Sequence, residues 1–283
     1  MGAAASLQCG TRTVDLLRPA IMGILNVTPD SFYDGGLFSS VEQAVRHARR
    51  MVDEGAHLID VGGESTRPGA TPVDADEEIR RVVPVIRALA DADIPVPVSI
   101  DTSKPEVMKA AVAAGAGLIN DVRALCVPGA LDAAAEMGVP VCLMHMQGQP
   151  QTMQARPSYK DVVSEVVEFL RRRVDEAVAA GIPRSRLLID PGFGFGKTVE
   201  HNLVLLRRLS DLRSLGLPIL VGLSRKSMIG ALLGTPPADR LADSVALALM
   251  ALREGASMVR VHDIRPTCDA LRLFEAVYEG TMR

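Results

Sequence analysis

The stretch LLIDPGFGFGK, residues 187–197, decides the architecture. Leu187, Leu188 and Ile189 form a short apolar run that stops at a carboxylate, Asp190. Pro191 and the alternating Gly192, Gly194 and Gly196 then prevent either a strand or a helix from continuing. A buried strand with a charge at its C-terminal tip, followed by a glycine-rich loop, is one spoke of a parallel α/β fold. Two common phosphate-binding loops are excluded. In the GxxxxGKS/T pattern the leading glycine would fall on Pro191, and in GxGxxG the last glycine arrives one place early, at Gly196.

Working outward, apolar runs at 20–25, 58–61, 96–100, 118–119, 139–144, 219–222 and 258–261 repeat that description, and helical sequence follows each. The pattern predicts a helix from Ser39 and Glu42, as a capping box, to about 54. Asp74 with Glu77 caps the next, which runs to about 90. Ser103, Pro105 and Glu106 open another in cap, first-turn and capping-box positions. Further helices are expected at 130–136, 159–180 (the longest), 202–215, a short one ending at 233, 239–254 and 267–279. Eight strands, each followed by a helix, make an α/β TIM (β/α)8 barrel. A doubly wound open sheet is the competitor, but it usually has fewer strands and its nucleotide fingerprint is absent. Residues 1–283 therefore read as one barrel domain, with 1–19 as an N-terminal extension forming a strand or hairpin lid over one end.

Composition sets further bounds. The chain has 283 residues, 48% of them hydrophobic but only 3% aromatic and none tryptophan, so the core is aliphatic. Buried parallel strands favour such packing. A net charge of -3 offers no basic field for nucleic acid, and an anionic substrate has to be caught by local cations and helix ends. Cys9, Cys126, Cys142 and Cys268 lie far apart without a CxxC pair, which speaks against a disulfide scaffold or a zinc site. No run approaches a membrane span and the N-terminus lacks a signal-peptide pattern, so the expected location is the cytoplasm.

In a barrel of this kind the functional end lies at the C-terminal tips of the strands. Those tips carry, in order, Asn26; Glu64, Thr66 and Arg67; Asp101; Asn120; His145; Asp190; Ser224, Arg225 and Lys226; Arg260 and His262. Asp101 or Asn120 alone could simply cap the following helix. Gathered beside an apolar core, such groups are costly unless they meet one another or a ligand. Arg260 and His262, two apart on a strand, face one side while Val259 and Val261 face the other. Asp101, Asn120, Asp190 and Lys226 supply the donors and acceptors that read a flat, amide-bearing heterocycle. Asn26, Thr66, Arg67, Arg260 and His262 suit phosphate oxygens. Phe32, Phe193 and Phe195 sit in loops, each either a cover for a ring or a loop anchor. His145 has no second His or Cys at ligand spacing, so a zinc site has no support.

The segments ILNVTPDSFYDGG (24–36), LIDVGGESTRPGA (58–70), SIDTSKPEVMKAA (99–111), INDV (119–122), LMHMQGQPQTMQ (143–154), IDPGFGFGK (189–197), VGLSRKSMIG (221–230) and VRVHD (259–263) occur in this order. Together they resemble the bacterial dihydropteroate synthases, pterin-binding TIM-barrel enzymes and sulfonamide targets of folate synthesis. The resemblance spans residues 18 to 278. It implies condensation of 6-hydroxymethyl-7,8-dihydropterin diphosphate with 4-aminobenzoate to 7,8-dihydropteroate and diphosphate, with Mg2+ as cofactor. It also implies a homodimer and sulfonamides as inhibitors, while the net charge and the lack of a spanning run already argue against nucleic acid or membrane as partner. Position by position, it implies that Asn26 reaches the metal and, with Thr66, Arg67, Arg260 and His262, surrounds the diphosphate. Asp101, Asn120, Asp190 and Lys226 match the pterin-binding groups. Phe32, Pro68, Phe195, Arg225 and Ser227 match the surroundings of the aminobenzoate, and Arg67, Lys226, Arg260 and His262 are the catalytic set. Pterin-dependent methyltransferase barrels share part of this pocket but have no use for the Arg67, Arg260 and His262 patch. A barrel reduced to a scaffold would have lost strand-end charges, and none is missing here.

An arylamine is already a neutral nucleophile at pH 7, so the expected barrier is loss of diphosphate from the pterin methylene carbon, in an SN1-like step. Cationic groups stabilise the departing charge. The helix opening at 225–227 is expected to anchor the aminobenzoate carboxylate. The turn-rich loops 27–36 and 64–73 are expected to close after diphosphate binds, which predicts ordered binding.

Overall fold

The computed structural model describes residues 6–27, 36–65 and 69–278. Strands β1 (Ser6–Cys9) and β2 (Arg12–Asp15) pair as an antiparallel hairpin. Eight parallel strands follow: β3 (Ala20–Asn26), β4 (Leu58–Gly62), β5 (Val98–Asp101), β6 (Leu118–Asp121), β7 (Val141–Met144), β8 (Leu187–Asp190), β9 (Leu220–Val221) and β10 (Met258–Val261). Their order in the sheet is β8-β7-β6-β5-β4-β3-β10-β9. A parallel bridge between Ile189 and Ile219 brings the two ends together, so the sheet is a nearly closed barrel of the TIM (β/α)8 type. Its seam lies between β8 and the two-residue β9.

Helices cover the outside: α1 (Gly36–Asp53), α2 (Ala75–Asp91), α3 (Pro105–Ala113), α4 (Ala130–Met137), α5 (Val162–Ala179), α6 (Val199–Arg207), α7 (Ser227–Leu233), α8 (Leu241–Arg253) and α9 (Ile264–Tyr278). The strands are aliphatic on both faces because both are covered. Alternate residues Ile21, Ile59, Ile100, Ile119, Leu143, Ile189 and Val259 point outward and pack against the helices. Met22, Leu58, Leu118, Cys142, Leu188, Leu220 and Met258 fill the barrel interior. Leu7, Cys9 and Val14 of the hairpin join this inner cluster, so the hairpin plugs the N-terminal mouth. It sits so close that a Cβ on Gly117 would lie 2.6 Å from the Cys9 carbonyl oxygen.

Several element boundaries differ from the expectation, each for a local reason. Helix α1 begins at Gly36, so Ser39 and Glu42 lie within it rather than at its start. At α3 the N-cap is Lys104, without a side-chain bond; Pro105 takes the first helical position as expected, while the Ser103 hydroxyl bonds Asp121. Helix α5 starts at Val162 rather than 159 because Asp161 Oδ1 accepts the Val163 and Ser164 amides at 3.0 and 3.4 Å. At 18 residues it equals α1 in length and is not longer. The stretch 202–215 splits into α6 and a 3-10 segment, Leu209–Leu215. At α2 the Asp74 carboxylate accepts the Glu77 amide at 2.8 Å, as expected.

Candidate functional site

The strand register that points Leu58, Leu118, Leu188 and Met258 inward also turns in the residues two places later: Asp60, Asn120, Asp190 and Arg260. Neighbouring strands place Asn26 opposite Gly62, Gly62 opposite Asp101, Asp101 opposite Asn120, and Met144 opposite Asp190. An apolar plug at one end is thereby succeeded by a polar layer at the C-terminal mouth.

Arg260 occupies the middle of that layer. Its Nε donates to Asp60 Oδ2 at 2.6 Å and an Nη donates to Asp101 Oδ2 at 2.7 Å. Asn120 Nδ2 also donates to Asp60 Oδ2, at 3.0 Å. Burial works against the guanidinium charge, but Asp60 and Asp101 more than offset it. Burial pushes the Asp101 carboxyl up to about 7, opposed by Arg260 and reinforced by Asp60, Glu78 and Asp121. The residue types had assigned Asp101 to a heterocycle and Arg260 to a phosphate; the structure puts the two in direct contact, so the two sets form one continuous surface. Asp60, which sequence reasoning missed, joins them. It is fully buried and its Oδ1 has no hydrogen-bond partner among the described residues. The available signal was a charge inside LIDVG, a strand buried at every position.

Asp190 stands across the mouth. Its Oδ1 accepts the Gly192 amide at 2.7 Å. Burial raises its carboxyl to about 6, against the pull of that bond and of Lys226, Lys197 and Arg260. Lys226 lies over the Phe195 ring, with Nζ 4.2 Å from the ring centre. Burial lowers its ammonium to about 8, with Asp190 opposing the shift. Phe195 faces this site, whereas Phe193 is 1% exposed and belongs to the outer core.

The remaining strand tips complete the rim. Asn26 ends β3, and a Cβ on Gly62 would lie 3.7 Å from its Oδ1 and 3.6 Å from Asp101 Cβ. His262 Nδ1 lies 3.0 Å from Ser224 Oγ. Arg225, in a left-handed conformation (φ 57°), makes a two-point ion pair with Asp263 at 3.0 and 2.6 Å. That pair ties the start of α7 to the end of β10 and engages part of a guanidinium expected to face aminobenzoate. Ser227 opens α7 on the exposed side. At the base of the loop after β4, Lys104 Nζ bridges Glu64 and buried Glu78 at 2.6 and 2.5 Å, and Glu64 Oε1 accepts the Val73 amide at 3.0 Å. Phe32, Thr66, Arg67 and Pro68 lie outside the described residues.

His145 is not part of the rim. It is 5% exposed and lies beneath the 190–197 loop, with Nδ1 2.9 Å from Lys197 Nζ. Its ring also lines a cavity of about 500 Å3 with Gln147, Tyr159, Phe169 and Arg172, outside the barrel mouth. Among the described residues no three His, Cys, Asp or Glu side chains converge as a metal cage.

The pterin binding enzyme family model matches residues 22–262. Dihydropteroate synthase of Escherichia coli K12 is 53% identical over 264 residues, 93% of each chain. The chain belongs to the dihydropteroate synthases. A solved structure of the Xanthomonas albilineans dihydropteroate synthase with 4-aminobenzoic acid superposes with a TM-score of 0.91 at 55% identity, covering 97% of this chain and 98% of that one. The Yersinia pestis dihydropteroate synthase in a sulfonamide drug complex gives 0.92 at 53%, covering 97% and 99%. For a member of the dihydropteroate synthases, the polar layer around Arg260 and the two charges of Asp190 and Lys226, each of which shifts the other's titration, are the features that require a chemical role.

Proposed function

We propose that the barrel mouth condenses 6-hydroxymethyl-7,8-dihydropterin diphosphate with 4-aminobenzoate, forming the C–N bond of 7,8-dihydropteroate and releasing diphosphate, for folate biosynthesis. The observation that carries this reading is the convergence of Asp101, Asn120, Asp190 and Arg260 on the inside of one barrel end, with Lys226 beside them. A flat ring bearing N–H and amino groups matches the carboxylates of Asp101 and Asp190, and Asn120 and Lys226 complete its edge. Two anionic side chains near an electron-rich dihydropterin favour positive charge at the methylene carbon as the C–O bond breaks. Arg260, His262 and, from outside the described residues, Thr66 and Arg67 stabilise charge growing on the leaving diphosphate. The arylamine attacks through its own lone pair and needs no strong base.

Phe195, Arg225 and Ser227, with Phe32 and Pro68, are the proposed surroundings of the second substrate. The Xanthomonas relative binds 4-aminobenzoic acid. Sulfonamides are expected to compete there, since the Yersinia relative forms a complex with a sulfonamide drug. For Mg2+ the donor chemistry fits an ion carried on the diphosphate rather than one caged by protein: Asn26 offers a neutral oxygen, and Mg2+ commonly combines one or two protein oxygens with phosphates and water. Bound there, Mg2+ would supply charge neutralisation of the leaving group.

No described helix is long and apolar enough to cross a membrane, and the proposed setting is the cytoplasm. The proposed assembly is a homodimer, supported by apolar residues exposed on α7, α8 and α9. A coupled assay for diphosphate release tests the function. Release that requires both substrates and Mg2+ is expected, and release indifferent to 4-aminobenzoate would overturn it. Binding of 4-aminobenzoate should be tight only when a pterin substrate or diphosphate is already present.

A further inference from the structure

Lys197 is 2% exposed, an unusual place for a lysine. Its three hydrogen-bonding directions are all used: Nζ donates to the Gly192 carbonyl at 2.9 Å and to the Phe195 carbonyl at 3.1 Å, and lies 2.9 Å from His145 Nδ1. The two carbonyls belong to the loop that carries the site. Gly192 sends its amide to Asp190 Oδ1 at 2.7 Å, and the Phe195 ring lies beneath Lys226. One amino group therefore fastens both the residue that aims Asp190 and the residue that seats Lys226. His145 holds it from below, and its own amide donates to the Asp190 carbonyl at 2.9 Å. His145 is kept neutral, since burial and then the charge of Lys197 pull its imidazole far below the usual range, which leaves Nδ1 free to accept.

We infer that Lys197, buttressed by His145, is a positioning residue for pterin recognition: it sets the orientation of Asp190 and Lys226 without touching substrate. The inference rests on the proposed reaction. It also accounts for the spacing of GFGFGK. The glycines let the loop backbone press against 145–147, where a Cβ on Gly192 would fall 1.9 Å from the His145 carbonyl oxygen and one on Gly196 2.3 Å from that of Gln147. Only then do the Gly192 and Phe195 carbonyls come within reach of one Nζ.

Steady-state kinetics and pterin binding on the full chain test this. Lys197→Met keeps the length and removes the donors. Its KM and Kd for the pterin diphosphate should rise tenfold or more, kcat should fall by less than that, and inorganic diphosphate should bind within threefold of wild type. His145→Leu should raise the pterin KM at least threefold. His145→Asn loses the same ring contacts but keeps an oxygen where Nδ1 was, and should return it to within twofold of wild type. A lowered Tm with unchanged pterin KM in Lys197→Met would reduce Lys197 to a structural residue and overturn the inference. Should Lys197→Met not fold, the His145 pair decides, and equal KM values for Leu and Asn would refute it. Wild-type protein that needs both substrates secures the reaction independently, whereas wild-type inactivity would count against the reaction itself.

Discussion

Asp190 ends an aliphatic strand with a carboxylate that is 5% exposed, and its folded-state carboxyl lies at about 6 against an ordinary 3.8. The sign of the linkage follows from that elevation. The folded state prefers the protonated acid, so this group's stabilising contribution is complete below about 3.8 and is lost as pH rises through about 6. At pH 7.5 the ionised side chain costs the fold about 3 kcal/mol. Asp190→Asn, permanently neutral and still able to accept the Gly192 amide, should raise Tm at pH 7.5 and leave it unchanged near pH 4. The same substitution should weaken pterin binding at least a hundredfold, about 2.7 kcal/mol, because an amide offers no charge to ring N–H donors. Scanning calorimetry at the two pH values and a binding titration check both halves, and a destabilised variant at pH 7.5 would contradict the account. In the wild type, pterin affinity should fall from pH 7.5 to 5, most steeply below 6. Lys226 and Arg260 stay cationic over the steep part of that range. Lys197, lowered by burial to about 7, has gained its charge before that part begins, and Asp101, raised to about 7, adds to the loss from its upper end. Affinity flat across this interval would remove Asp190 and Asp101 as the charged acceptors.

At the scale of the element, a glycine of the 190–197 loop and the glycine that follows α5 serve different ends. Gly192 has φ 69° and backbone pressed against the position of its absent Cβ, whereas Gly181 has φ 97° with nothing within 4 Å. Gly181→Ala should thus cost about 1 kcal/mol, the backbone penalty alone. Gly192→Ala should cost about 2–5 kcal/mol, since the loop must also move off the 145–147 backbone. Urea unfolding of the two variants gives the comparison, and equal losses would mean the loop yields freely. This contrast also shows what was readable beforehand. That the loop follows a strand and breaks both regular structures was legible, because proline and glycine act locally. So were the strands themselves, through their apolar runs, and the inward direction of Arg260, through alternation. The Asp60–Arg260 and Lys197–His145 contacts were not, since they join residues 200 and 52 positions apart, and no local pattern encodes such a distance. Capping suffered similarly: Ser103 had the chemistry of a cap, but Asp121 on the next strand competed for its hydroxyl.

At the scale of the whole molecule, the barrel spends its two ends differently. The N-terminal mouth is sealed with Leu7, Cys9 and Val14, which leaves the C-terminal mouth as the place where polar groups meet solvent. The outer face is uneven as well. Among the described residues, seven of the nine exposed large hydrophobics fall between Leu232 and Tyr278, all on α7, α8 and α9: Leu232, Leu233, Leu241, Met250, Leu273, Val277 and Tyr278. Single exposed leucines are ordinary on a protein surface, but a concentration on successive helices suits the contact face of the proposed homodimer. Two copies meeting through α7–α9 would bury it, with two-fold symmetry requiring each side to present the same patch. The link to the site runs through Arg240, just before α8, whose guanidinium donates to the carbonyls of Arg225 at 3.1 Å and Lys226 at 3.3 Å. A contact of the proposed dimer on α8 would therefore bear on the segment that presents Lys226. Sedimentation velocity should give a species of twice 30.1 kDa at micromolar concentration. Met250→Arg, on an exposed position of α8, should shift it to the monomer while thermal unfolding stays within a few degrees of wild type. A wild-type chain that sediments at 30.1 kDa throughout that range would leave the apolar face without a second copy and sink the dimer.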